Sequence, residues 1–316
     1  MFGETIALVV AVSWTAGALA GELASKRLGA LPLNVIRMAL SLLLLGTALY
    51  FVTGRPYPLL ADGPTWLWMG MSGLVGFGFG DYCLFNSYVL IGSRFSQLFM
   101  TLASPFAALA ALVLLGERMS PLAVLGMGIT VVGIGMSILG KEHTEAPKGE
   151  HGRVVHLSVK LPLKGFLFGI GASLGQGVGL VLSKVGLERY AEAAAGTGVN
   201  PLLFPVGGTM IRTLAGLFCF LSLLMLRREW GRLHRAVHDG RGMRHAFVAT
   251  LLGPAVGVSL SLLALQYTEA GVAQTLMSLV PVLIIWPSHV LFGTKVTATE
   301  VVGAVIAVAG VTLFFV

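Results

Sequence analysis

Charge is what this sequence most conspicuously lacks. Of its 316 residues, 11% are Asp, Glu, Lys or Arg, 56% are hydrophobic, and the mean hydropathy is +0.87. A water-solvated domain carries roughly 25% charged residues, so the composition excludes a chain wetted over its whole surface. Cysteine is scarcer still. Cys83 and Cys219 are the only two, both inside apolar stretches. They exclude a disulfide framework and a thiolate metal site, and read as small packing residues. Aspartate occurs three times, at 62, 81 and 239. No His-Glu-x-x-His motif is present, and nothing in the pattern asks for a metal or cofactor. The opening MFGETIALVV lacks the basic n-region of a secretory signal, so its apolar run reads as a retained helix. The net charge of +7 sits mostly between apolar runs and carries no nucleic-acid signature.

What is abundant is apolar length. Runs of about 20 residues, enough to cross a hydrocarbon core of roughly 30 Å, fall near 4–25, 31–53, 65–91, 95–116, 121–140, 161–186, 200–226, 245–267, 271–292 and 297–316. They predict an all-α membrane protein of ten transmembrane helices, with no room for a separate soluble domain. Segments after odd-numbered runs hold fifteen Lys and Arg residues, and those after even-numbered runs hold four. By the positive-inside tendency the odd segments face the cytoplasm, which puts both termini outside.

The chain also repeats itself. SQLFMTLASPFAALAALVLLGERMSPLAVLGMGITVVGIG aligns without gaps to AQTLMSLVPVLIIWPSHVLFGTKVTATEVVGAVIAVAGVT at an offset of 177 residues, placing Gln97 on Gln274, Gly116 on Gly293, Gly126 on Gly303 and Gly133 on Gly310. Earlier in the halves the offset shrinks, and Ile36-Arg37 matches Ile211-Arg212. The expected organisation is a five-helix half at 1–140, a polar linker at 141–160 and a second five-helix half at 161–316. Five is odd, so the halves thread the membrane in opposite senses. Inverted repeats of this kind are common in secondary transporters, whose substrate sites lie between the repeats.

GFGFGDYCLFNSYVLIGSRFSQLFMTLASPFAALAALVLLGERMS and ALQYTEAGVAQTLMSLVPVLIIWPSHVLFGTKVT together resemble the EamA-type pattern of the drug/metabolite transporter superfamily. The resemblance covers essentially the whole chain. It implies ten helices around a central cavity, built from inverted repeats, exporting small metabolites across the plasma membrane. The second half departs from the pattern, with Gly293-Thr294-Lys295 where the first has Gly116-Glu117-Arg118.

An ionisable group at a helix centre costs about 2.5–3.5 kcal/mol on insertion scales unless a cavity or a partner receives it, so each one is a candidate. Asp81 is central in the third run, and its repeat counterpart is Val258. It is a proton-coupling or substrate site, or else a buried structural acid. Arg37 and Arg212 hold matched positions and could offer two guanidinium forks to an anionic or zwitterionic substrate, or else cap carbonyls and pair with Asp81. Glu22 and Lys26 have the i, i+4 spacing of a surface pair. The surrounding LAGELASK also loosely resembles the coupling acid of small multidrug resistance proteins, which makes Glu22 a second proton-coupling candidate. Gln97, Gln274, Asn86 and Gln176 are neutral polar groups that either line a cavity or bridge helices. Trp14, Tyr82, Tyr267 and Trp286 could form an aromatic wall. Pro105, Pro281 and Pro287 interrupt runs and are hinge candidates. The expected partners are a small-molecule substrate, the bilayer and, if Asp81 or Glu22 couples, protons.

Competing classes remain. Gly78-Phe79-Gly80-Asp81 matches the G-x-G-D signature of intramembrane aspartyl proteases, but such chemistry needs two carboxylates sharing a proton, and no second intramembrane aspartate exists. An uncoupled facilitator or a lipid flippase fits the pattern better than an enzyme does.

Overall fold

The computed structural model describes residues 2–116, 120–142, 162–267, 276–293 and 296–313, and among them every regular element is helical. Gln274, Lys295 and nearly all of the 141–160 linker lie outside the described residues. Helix α1 (Phe2–Leu28) turns into α2 (Ala30–Thr53) through Gly29 alone. Helix α3 (Gly63–Ser72) continues through a nine-residue π-helical segment (Gly73–Asp81) into α4 (Tyr82–Phe99). A 3₁₀ turn (Met100–Leu102), α5 (Ala103–Leu115) and α6 (Pro121–Glu142) follow. The later part holds α7 (Leu163–Ala193), α8 (Phe204–Arg227) and the short α9 (Trp230–His238). Then come α10 (Gly240–Thr250), a second π-helical segment (Leu251–Ala255) and α11 (Gly257–Tyr267). The last three are α12 (Val280–Leu283), α13 (Ile285–Phe292) and α14 (Ala298–Thr312).

Among the described residues, six helical runs are long and apolar enough to cross a membrane, and three shorter apolar helices accompany them. One of the six, Gly63–Leu115, has 53 residues. At 1.5 Å per residue it would be about 80 Å long if straight, more than twice a bilayer core. It is not straight. Gly92 has φ 80° and ψ 162°, outside the helical range. Across it, the Ser87 and Ser96 hydroxyls meet at 2.6 Å and Gln97 donates to the Tyr88 hydroxyl at 2.6 Å. Residues nine apart in one helix stand about 13.5 Å apart along its axis, so these bonds require the chain to reverse at Gly92. Only glycine takes that backbone conformation readily.

The turns collect on two faces. On one, Glu22 accepts a bond from the Ser93 amide beside the Gly92 reversal, Arg27 pairs with Asp239 before α10, and Lys26 sits over the Phe292 ring. Arg94 pairs with Glu300 at the start of α14, also on this face. On the other, Tyr190 donates to the Leu59 carbonyl, and Tyr190 and Phe204 pack with Ala61 and Val199. Tyr267 and Phe2 meet edge to face at the end away from the basic turns.

Helices α6 and α14 pack reciprocally. A Cβ on Gly133 would meet the Gly303 carbonyl at 2.7 Å, and one on Gly310 would meet the Gly126 carbonyl at 2.7 Å. Each contact is the other's image under the 177-residue offset, and between them Thr130 donates to the Ala307 carbonyl, its own repeat partner. Gly116 and Gly293, another matched pair, close α5 and α13 with nearly identical left-handed angles.

Candidate functional site

The glycines around Asp81 exist to let backbones touch. A Cβ on Gly175 of α7 would stand 2.6 Å from the Gly80 Cα, and one on Gly73 would stand 2.3 Å from the Arg212 carbonyl of α8. Close approach of this kind holds helices together in lipid, where no hydrophobic force favours one apolar surface over another. Long π-helical stretches are rare and concentrate at functional sites. Here one ends on Asp81, buried at the centre of the bundle.

Asp81 is fully engaged. Its Oδ2 accepts from Arg37 Nη1 at 3.0 Å, and its Oδ1 accepts from Gln176 Nε2 at 2.8 Å. Arg37 donates further to Asn34 Oδ1 at 3.1 Å and lies over the Phe85 ring, 4.2 Å from its centre. A buried ion pair is tolerated when its remaining polar atoms are also bonded. The cluster meets that condition for the carboxylate but not for the guanidinium, whose two bonds both leave from Nη1 and whose Nε has no partner.

Arg212 is different. It is 4% exposed and lies over Phe77 with 4.7 Å to the ring centre, yet it makes no hydrogen bond to any described residue, and its Nε is buried and unpartnered. It interacts electrostatically with Asp81, whose two oxygens accept hydrogen bonds from Arg37 and Gln176.

These groups line a central cavity of two lobes, each 130 Å³, which share Trp14, Gln97, Met100, Gln176 and Val258. One lobe contains Arg37 and Asp81, the other Arg212 and Pro281. Trp14, Gln97, Gln176, Arg37, Arg212 and Asp81 are therefore brought together, by residues from both halves of the sequence. Tyr82 and Asn86 lie elsewhere, in a 460 Å³ vestibule on the basic face whose walls include Arg27, Arg227, Arg232 and Arg235 against Glu229 and Asp239. Asn86 donates to the Tyr82 carbonyl at 2.7 Å, one turn back. Tyr267 and Trp286 line neither space and are 51% and 73% exposed. Glu22 is buried, bonded to Lys26 Nζ and to the Ser93 amide. Pro105 and Pro287 stand in the first turns of α5 and α13, and Pro281 stands in α12.

Several residues that shape the site were not singled out from the sequence. Asn34 precedes Arg37 by three residues on the same helix face, a spacing that could have flagged it. Pro254, inside the second π-helical segment, borders the Asp81 lobe. Glu300 follows Thr297 with the spacing of a capping box, and Thr297 does accept its amide. Its buried pairing with Arg94 of the other half is a tertiary fact. Among the described residues, no group of His, Cys, Asp and Glu side chains gathers to hold a metal.

A sequence profile of the EamA-like transporter family matches residues 1–139 and 163–316. One solved crystal structure shares the fold at 17% identity and a TM-score of 0.58, with 98% of this chain and 95% of that chain covered. At that identity the likeness concerns the fold alone. Comparison with curated proteins finds no match.

Proposed function

The chain belongs to the EamA-like transporter family, and from that premise we propose that it exports small polar or amphipathic metabolites by alternating access, driven by proton antiport or substrate exchange. Its family consists of multi-pass membrane proteins that move small molecules. The observation that carries the finer reading is the central cavity, which takes charged and polar groups from both halves of the sequence and buries them among apolar helices.

In this reading the chain spans a plasma membrane ten times, as two inverted five-helix halves at 1–140 and 161–316. The reversal at Gly92, the matched caps at Gly116 and Gly293, and the reciprocal packing of α6 on α14 support it. The basic face is cytoplasmic and the termini lie outside. Asp81 is the coupling acid. It bonds Arg37 of its own half and Gln176 of the other, so a rocking of the halves must break the second bond, and protonation weakens the first. Glu22 holds the Gly92 reversal in place.

The test is flux in proteoliposomes containing the full chain and loaded with a labelled metabolite mixture. We expect Asp81→Asn to lose efflux driven by a pH gradient while retaining exchange. Gradient-driven efflux at the wild-type rate removes Asp81 from coupling, and no flux of any solute overturns the reading.

A further inference from the structure

Resting on that transport reading, we propose that Arg212 is the anion receptor of the cavity and that the cargo is a small amphipathic molecule carrying a single carboxylate. The two matched arginines have diverged. Arg37 faces Asp81 and is paired, whereas the repeat counterpart of Asp81 is Val258, which lines both lobes and brings no charge. Arg37 and Asp81 cancel, so the cavity keeps one uncompensated positive charge. It is a guanidinium fork, 4% exposed, with no hydrogen bond among the described residues. A buried guanidinium with free donors matches an oxyanion that two of its N–H groups can bind at once.

The surroundings narrow the class. One net charge is balanced by one carboxylate, while a phosphate monoester brings about −1.5 to −2 at neutral pH. Asp81 has both oxygens occupied, so no carboxylate is left to receive an ammonium, which disfavours a zwitterion. The rest of the Arg212 lobe is largely apolar, with Trp14, Met100, Leu180, Leu262 and Met277 along it, and this suits a hydrocarbon tail.

Binding to the purified full chain in detergent, read by thermal shift, tests this with four ligands that share one tail: hexanoate, hexanamide, hexyl phosphate and 2-aminohexanoate. We expect hexanoate to bind about thirtyfold or more tightly than hexanamide, the scale of losing one partner of a buried charge pair. It should also bind more tightly than the other two. Val258→Asp, which gives Arg212 the partner Arg37 already has, and Arg212→Met should each abolish the hexanoate preference. Gly76→Ala should weaken it while keeping the charge, because the new Cβ would press on Arg212 Nη2 at 3.0 Å. Equal binding of hexanoate and hexanamide, no hexanoate binding, or an undiminished preference in Arg212→Met overturns the receptor. Preference for hexyl phosphate or 2-aminohexanoate overturns the single-carboxylate assignment. Hexanoate that binds but never exchanges across proteoliposomes overturns transport and leaves the receptor standing. Exchange of hexanamide without hexanoate does the reverse.

Discussion

Arg37 and Arg212 occupy matched positions in the sequence, and both end buried over a phenylalanine ring. They differ in what stands opposite. The first copy places Asp81 against its arginine, and the second places Val258 in the corresponding position. Matched sequence positions thus carry one neutral cluster and one cation without a hydrogen bond among the described residues. Symmetry at the periphery, seen in the α6–α14 packing, coexists with asymmetry at the centre. The contrast teaches that matched positions can keep the same packing while one unmatched residue changes the charge of the site.

The largest effect should come from breaking the paired copy. Arg37→Met leaves Asp81 buried without its cation, and removing one partner of a buried pair costs about 3–5 kcal/mol. Arg212→Met removes an unpaired charge and should cost little or stabilise. Thermal unfolding of the two variants in detergent makes the comparison, and similar losses would break it. Adding Asp81→Val to Arg37→Met should recover most of the loss, since the double variant leaves neither charge buried without its partner.

Next in size is the glycine seam that seats the π-helical segment. Gly175→Ala pushes a Cβ into the Gly80 backbone at 2.6 Å, an overpacking worth about 1–3 kcal/mol. Gly76→Ala meets mainly the movable tip of Arg212 and should cost less. Equal stability of the two would show that the seam can yield.

The two kinds of turn differ more subtly. Gly92, at ψ 162°, lies in a region essentially closed to other residues, at about 1–3 kcal/mol. Gly293, at φ 64° and ψ 19°, sits where a side chain is merely disfavoured. Gly92→Ala should lower the unfolding temperature more than Gly293→Ala does.

The smallest effect concerns the polar borders of the two faces. Thr65, through its hydroxyl and amide, holds the Asp62 carboxyl below the usual carboxylate range. Arg27, aided by the Gly242 amide, does the same for Asp239. A depressed folded value means each contribution is fully present above the unfolded value of about 3.9. It is lost as pH falls through the lower folded one. Stability should therefore decline slightly below about pH 4, and Asp62→Asn with Asp239→Asn should flatten that decline in a pH series of unfolding temperatures.

Much of this was legible because membrane segments announce themselves. Apolar length, the 177-residue offset and the sparseness of intramembrane charge require no tertiary information, and they singled out Asp81, Arg37, Arg212, Gln97 and Gln176. Aromatic residues were less legible. Trp14 lines the cavity while Tyr267 and Trp286 do not, because in lipid an outward tryptophan and an inward one cost similar amounts and leave no trace in hydropathy.

The sequence by itself determined the class of the protein, since backbone groups in hydrocarbon must be satisfied within helices and a run of twenty apolar residues has few other fates. Only the tertiary structure decided which charges cancel. Whether Asp81 meets Arg37 or Arg212 depends on the wider turns of a π-helical segment and on glycines that bring α7 and α8 against it. Those contacts join residues more than 90 positions apart, and no local pattern encodes the distance between them.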